Sequence, residues 1–318
     1  MATQCSDTIL MIRPANFFFN EETAVNNHYQ KNILSSSAEE ITRQAQEEFD
    51  AFVDKLRNKG VKVITMDDTD IPATPDAVFP NNWISFHEDG RVGLYPMYAP
   101  NRRQERRWEV LQTIEIEHCL SISGIEDFTH YEAEGKYLEG TGSIVLDRPH
   151  KLAYAALSER TDAEVLEEFC KRLGYQPVAF HAYQTANDKR QLIYHTNVMM
   201  CIADEFAIIC DESIDDVGEK QKVLTSLTST GKDVISITEE QKSSFAGNML
   251  QVMNTEGEKF TVMSAAAHAS LSDEQKEKIL QYGGIIESPL HTIETLGGGS
   301  ARCMMAEVFL PSKRDLIS

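Results

Sequence analysis

Positive charge is scarce in this sequence. Lys and Arg number 30 against 50 Asp and Glu, a formal net charge of −20 at pH 7. Phosphate backbones and anionic bilayers are held by cationic faces, so neither nucleic acid nor a membrane is expected as a partner. Long apolar runs are also missing: Ile9-Leu10-Met11-Ile12 near the start is too short for a secretion signal or a span. Paired cysteines are absent, because Cys5, Cys119, Cys170, Cys201, Cys210 and Cys303 contain no C-x-x-C. They read as reduced thiols and not as a disulfide framework or zinc knuckle, which makes a cytoplasmic setting the expectation. The nine histidines form no H-x-x-x-H or H-x-x-E-H cluster, so a metal hydrolase is disfavoured and no metal is expected. No G-x-G-x-x-G follows the first strand, where Arg13-Pro14-Ala15-Asn16 stands instead, and this argues against an open doubly wound sheet.

What is present is an ordinary globular composition, 42% hydrophobic and 25% charged, over 318 residues. That length suggests two domains unless a repeat fold spans it. A repeat is visible. Residues 37–59 carry Ile41, Ala45, Phe49, Phe52, Val53 and Leu56 on one helical face, then Gly60, then a β-rich run at 61–64. The same phrase of polar cap, amphipathic helix, glycine and short strand recurs with helices near 103–116, 162–173, 218–229 and 272–282. Two further β-like runs precede each later helix, such as 83–86 and 91–94, or 198–202 and 206–210. Each module thus reads as ββαβ. No module could bury its own apolar face, so the five are expected to close around a common axis in one α/β domain over 1–318.

Unusual polar residues keep the same beat. Asn81-Asn82, Glu139-Gly140-Thr141-Gly142, His195-Thr196-Asn197, Gly247-Asn248 and the run Gly297-Gly298-Gly299-Ser300-Ala301-Arg302-Cys303 recur about every 55 residues. Taken singly, Asn81-Asn82 after Pro80 is a turn, a loop glutamate is solvated and a strand histidine is structural. A shared period places them at equivalent points of a closed ring, where they meet. The glycine run lets another group approach closely, and a thiol just past it beside Arg302 is expected to be exposed and electropositive, the setting of a nucleophile. The run Arg102-Arg103 and Arg106-Arg107 reads as a solvated helix start. Asn16 to Phe19 and the stretch 96–101 are candidate lids.

These motifs resemble the guanidine-modifying, or pentein, superfamily of arginine deiminases, dimethylarginine hydrolases, amidinotransferases and agmatine deiminases. Gly297 to Met304 is similar to the arginine deiminase nucleophile motif, Glu139-Gly140-Thr141-Gly142 to its E-G-G-D segment, and His195-Thr196-Asn197 to its H-x-D segment. Residues 78–85 and the His-Thr-Asn strand most resemble arginine deiminase-related, citrulline-utilisation hydrolases. The resemblance implies a five-bladed α/β propeller, a Cys303–His195–Glu139 site, no cofactor, and a small ureido or guanidino amino acid as partner, with a homodimer left open beside a monomer. It also implies hydrolysis of a carbon–nitrogen bond: Cys303 attacks the planar carbon, His195 moves protons, and Glu139 holds substrate nitrogens and steadies the ring.

The departures from the family pattern are specific. Asn82 and Asn197 stand where arginine deiminases carry carboxylates, and Gly142 where they carry Asp. Carboxylates hold a guanidinium, whereas amides complement a neutral ureido group. Citrulline, giving ornithine, ammonia and carbon dioxide, is therefore the first expectation. Arginine or dimethylarginine deimination and amidino transfer are the alternatives, and a non-enzymatic binding factor of the same fold is the alternative of another class. Asn82 and Asn197 are expected to position the planar group, and Arg13 and Arg302 to meet a substrate carboxylate.

Overall fold

The computed structural model describes residues 3–32, 37–186 and 188–313, so the ends of the 1–318 domain expectation, at 1–2 and 314–318, lie outside the described residues. The helices form where capping and periodicity place them. Ser37 accepts a hydrogen bond from Glu40 N and opens the helix Ala38–Asn58, which buries Ile41, Ala45, Phe49, Phe52, Val53 and Leu56. Ser272 opens Asp273–Leu280 through a reciprocal capping box with Gln275. The helix Ala163–Leu173 is capped by Asp162 and stopped by Gly174 at φ 75°. The expected first residue, Asp162, is thus the cap and not part of the helix, because its carboxylate accepts from both Glu164 N and Val165 N. Val217–Ser229 follows an Asp216 cap.

Among the described residues the strands form five three-stranded sheets and one two-stranded hairpin. Four of the sheets repeat one path. Ile84–Phe86 pairs antiparallel with Arg91–Leu94, which pairs parallel with Gly124–Asp127 after the helix Trp108–Ile116. Val145–Asp147, Leu152–Ala156 and Gln176–Phe180 repeat it around Ala163–Leu173. Met200–Ile202, Phe206–Ile209 and Asp233–Ser236 do so around Val217–Ser229, and Leu250–Met253, Lys259–Ser264 and Gly284–Ser288 around Asp273–Leu280. A parallel pair needs a crossover, which the helix supplies each time. The remaining sheet draws on distant parts of the chain: Ala306–Glu307 pairs antiparallel with Thr8–Arg13, which pairs parallel with Lys62–Asp67.

The first strand of each repeated path is short and buried, and these strands pack on one another: Met200–Ile202 lies against Val145–Asp147 and Leu250–Met253, and Ala306–Glu307 against Ile84–Phe86. The turn leading into each of them carries the polar clusters. Neighbouring turns touch backbone to backbone. Gly140 sits at φ +47° where a Cβ would lie 2.3 Å from Asn81 O, so only glycine fits.

Two sequence expectations change here. Arg102 does not begin a solvated helix. It lies in the 3-10 turn Pro100–Glu105, is buried, and the α-helix starts only at Trp108. The hairpin of Tyr183–Ala186 and Lys189–Leu192 was not expected, because neither strand carries an apolar alternation and the second is largely exposed.

Candidate active site

The site is built from the turns ahead of the short inner strands. Cys303 lies in the turn after the glycine run, with its N–H donating to Ser300 O at 3.0 Å. The glycines clear space for neighbours: a Cβ at Gly297 or Gly299 would meet the Phe79 ring at 2.8 or 2.9 Å. The thiol is not exposed as the sequence suggests, since Cys303 retains 3% of its surface. It forms one wall of a narrow cavity together with His195, Asn82, Asp76, Arg102, Arg160 and Tyr194, roofed by Thr23 and Asn27. Its sulfur accepts from Asn248 Nδ2 at 3.2 Å and from Asn197 Nδ2 at 3.5 Å.

His195 Nε2 meets Glu139 Oε2 at 2.7 Å. Burial pushes the imidazole down to about 4, against the upward pull of Glu139. The ring is therefore neutral near pH 7. A carboxylate can only accept, so the Nε2 edge carries the proton and Nδ1 keeps its lone pair. Glu139 is fully buried. Burial alone would raise its carboxyl, but the Arg160 guanidinium, the His195 hydrogen bond and Arg102 outweigh it and hold the group well below the usual carboxylate range. Its oxygens are occupied by Tyr98 N at 2.9 Å, Arg160 Nη1 at 3.4 Å and His195. In this arrangement Glu139 orients the imidazole and does not line the cavity.

Asn82 reaches the cavity with its oxygen already engaged, because Arg102 Nη1 donates to Oδ1 at 2.8 Å. Its amide nitrogen donates to Asn81 Oδ1 at 3.1 Å. Gly142 is fixed by the same crowding. A Cβ there would lie 2.5 Å from Asn82 Nδ2 and 2.9 Å from the His195 ring, so the Asp of the related motif has no room in this packing.

Arg13 and Arg302 are corrections. Arg13 forms a bidentate pair with Asp50 at 2.8 and 2.9 Å on a partly exposed flank, remote from the Cys303 cavity. Arg302 is next to Cys303 in sequence, but in the turn its side chain leaves on another side. It pairs with Glu307 at 2.7 Å and donates to Met305 O, within the core of the sheet that closes the chain. The cations at the cavity are Arg102 and Arg160. Arg102 holds Glu105 bidentately at 2.8 and 2.9 Å. Arg160 donates to Thr23 O at 2.8 Å and lies over the Tyr194 and Tyr98 rings at 5.0 and 5.6 Å. Asp76 is buried beside Arg102, with 3.8 Å between Oδ2 and Nε. Its Oδ2 accepts from Asn20 and Thr23, whereas Oδ1 has no hydrogen-bond partner among the described residues. Burial raises its carboxyl despite Arg102.

Sequence reasoning missed Asp76, Arg102 and Arg160 for a shared reason. None belongs to the periodic clusters, and charged residues in loops read as solvated. The one available signal was Arg102, a cation three residues ahead of Glu105 in an acidic chain.

No group of three or more His, Cys, Asp or Glu able to hold a metal ion occurs among the described residues, and none of their helices is long and apolar enough to cross a membrane.

Solved structures share this fold. The N-terminal domain of ArgZ, a cyanobacterial arginine dihydrolase of the ornithine–ammonia cycle, solved as a cysteine-to-serine variant bound to substrate, superposes with a TM-score of 0.71 at 19% identity, covering 95% of this chain and 97% of that one. AgrE with L-arginine gives a TM-score of 0.72 at 18% identity over 95% of this chain and 40% of the other. A dimethylarginine dimethylaminohydrolase adduct with S-methyl-L-thiocitrulline gives 0.63 at 15% identity, covering 95% and 99%. No curated protein sequence matches the chain. Residues 13–310 match the model of the eukaryotic N,N dimethylarginine dimethylhydrolases. With a thiol, a carboxylate-bound imidazole and buried arginines in one cavity, the chain belongs to that family, within the guanidine-modifying superfamily, and is a hydrolase of carbon–nitrogen bonds.

Proposed function

We propose that this protein hydrolyses the terminal carbon–nitrogen bond of a ureido group on a small amino acid, with citrulline as the preferred substrate. One observation carries the reading. Arg102 donates to the Asn82 oxygen and Asn81 takes one of the two amide N–H bonds, so we read the second N–H as the group offered to the cavity. A guanidinium has only donors and would face another donor there, whereas a ureido carbonyl accepts. The α-carboxylate then lies toward Arg102 and Arg160, and the α-ammonium toward the unpartnered Oδ1 of Asp76. Neutral His195 takes the Cys303 proton on Nδ1, and the thiolate attacks the ureido carbon. The imidazolium returns that proton to the departing ammonia, leaving an S-carbamoyl enzyme. Water, deprotonated by His195, releases the carbamate, which breaks down to ornithine and carbon dioxide. The five sheets act as the blades of an α/β propeller that brings these turns to one axis, over a single domain, in a cytoplasmic setting with reduced thiols.

The second reading is an arginine-type substrate. It is favoured by the same Asp76 oxygen, which suits a guanidinium as well as an ammonium. Purified protein incubated with citrulline, arginine, agmatine and dimethylarginine, with products identified by mass, decides between them. Turnover of arginine with none of citrulline ends the ureido reading.

A further inference from the structure

We propose that Asn248 is a further catalytic side chain, whose amide N–H stabilises the sulfur of Cys303 as a thiolate and aims it into the cavity. The inference rests on Cys303 being the nucleophile. Asn248 comes from the turn ahead of Leu250–Met253 and is fully buried. One amide joins three elements. Its Oδ1 accepts from Arg302 N at 3.0 Å, its Nδ2 donates to Asn197 O at 3.0 Å, and the same Nδ2 lies 3.2 Å from Cys303 Sγ.

The orientation of this amide is fixed by backbone chemistry. A peptide N–H can only donate and a peptide C=O can only accept, so the flipped amide would lose both partners. Nδ2 must therefore face the sulfur, and the sulfur must accept. A thiolate accepts better than a thiol, and a hydrogen bond to an ionised acceptor is the stronger kind. Asn197 Nδ2 adds a weaker donor at 3.5 Å. The chain holds the opposite arrangement elsewhere: at buried Cys5 the thiol donates to Gln251 Oε1 at 3.2 Å, an amide turned oxygen-first. The two sites pair an amide with a cysteine in opposite senses, and only the one in the cavity presents N–H.

The test reads the pH profile of Cys303 alkylation by iodoacetamide, by peptide mass, in wild type, Asn248→Ala and Asn248→Asp. The charged and titratable groups around the sulfur are His195, Tyr194, Arg102, Arg160 and Asp76 on the cavity wall, with Arg302 and Glu307 behind the turn. They are common to all three proteins, so the difference isolates the amide. The midpoint is expected to rise by about one pH unit in Asn248→Ala, a roughly tenfold slower alkylation at pH 7, and further in Asn248→Asp, which sets an anion beside the sulfur. Midpoints equal to wild type in variants that unfold cooperatively overturn the proposal. The wild-type side-chain amide of Asn248, followed by NMR, provides a readout that needs no Asn248 variant to fold. Its resonance is expected to move as Cys303 ionises, and one indifferent to both pH and Cys303→Ser overturns the proposal as well. Alkylation does not depend on turnover. A shifted midpoint in a protein inert toward citrulline sinks the ureido reading alone, and an unshifted one in an active enzyme sinks the role of Asn248 alone.

Discussion

Glu139→Gln removes one charge and almost no volume, and its effect can be worked from the geometry. Glu139 sits 3.4 Å from Arg160 Nη1 and 2.7 Å from His195 Nε2. At an effective dielectric of about 20, a unit pair at that first separation is worth roughly 5 kcal/mol of gross attraction. The remaining partners of Arg160, Thr23 O and Asn26 Oδ1, are neutral. The variant therefore leaves a buried guanidinium with no carboxylate hydrogen-bonded to it, and breaking such a pair costs about 3 kcal/mol or more. For a chain of this size that corresponds to a fall in Tm of about 4–5 °C. The amide still accepts from His195 Nε2, so the ring keeps its tautomer. It loses the charge that now raises it, and the imidazole, already held at about 4, becomes a weaker base still. Turnover is expected to fall by about a thousandfold at an unchanged KM, since Glu139 does not line the cavity. Calorimetry and steady-state kinetics on the variant measure both numbers. A double-mutant cycle with Arg160→Met separates the buried charge from the catalytic loss. Activity within threefold of wild type, together with an unchanged Tm, refutes the assignment of Glu139 as the orienting carboxylate.

Arg102→Met is expected to raise KM at least tenfold for an amino-acid substrate and to destabilise the protein by stranding Glu105, whereas Arg13→Ala leaves turnover unchanged and costs under about 1 kcal/mol, because its pair with Asp50 is largely solvated. Parallel kinetics on the two variants check this contrast. Gly140→Ala forces a Cβ to 2.3 Å from Asn81 O at a positive φ, so loss of soluble protein or a Tm fall above about 5 °C is expected in expression and melting trials. The folded His195 is depressed to about 4 from an ordinary 6.5, so below pH 6.5 the unfolded chain takes up a proton that the folded one refuses. Wild type should then lose up to about 3 kcal/mol between pH 6.5 and pH 4, a loss absent from His195→Gln in denaturant titrations.

The repeating helices were legible because each combines a side-chain cap, an amphipathic stripe and a glycine or polar stop, three local signals that agree. The Ala38–Asn58 helix matches its expected extent to within a residue at each end, and all six expected core positions are buried. The periodic polar clusters likewise led to the turns that carry Cys303, His195 and Asn82, which share one cavity. The arginines that line the cavity were not legible. Adjacency in sequence suggested Arg302, but a tight turn sends successive side chains in different directions, and Glu307 captures that guanidinium. Arg102 and Arg160 become visible only once the turn at Pro80–Asn82 and the roof around Thr23 are folded over them. The orientation of the Asn82 amide is equally hidden: its oxygen is turned to Arg102, 20 residues away.

The sheet that pairs Thr8–Arg13 with Ala306–Glu307 also ties the sulfur to a distant stretch of sequence. Cys303 stands just ahead of Ala306–Glu307, whereas the turns of His195 and Glu139 lead into strands of other sheets. A substitution that loosens either partner strand therefore displaces the thiol relative to the imidazole from a position that touches no ligand.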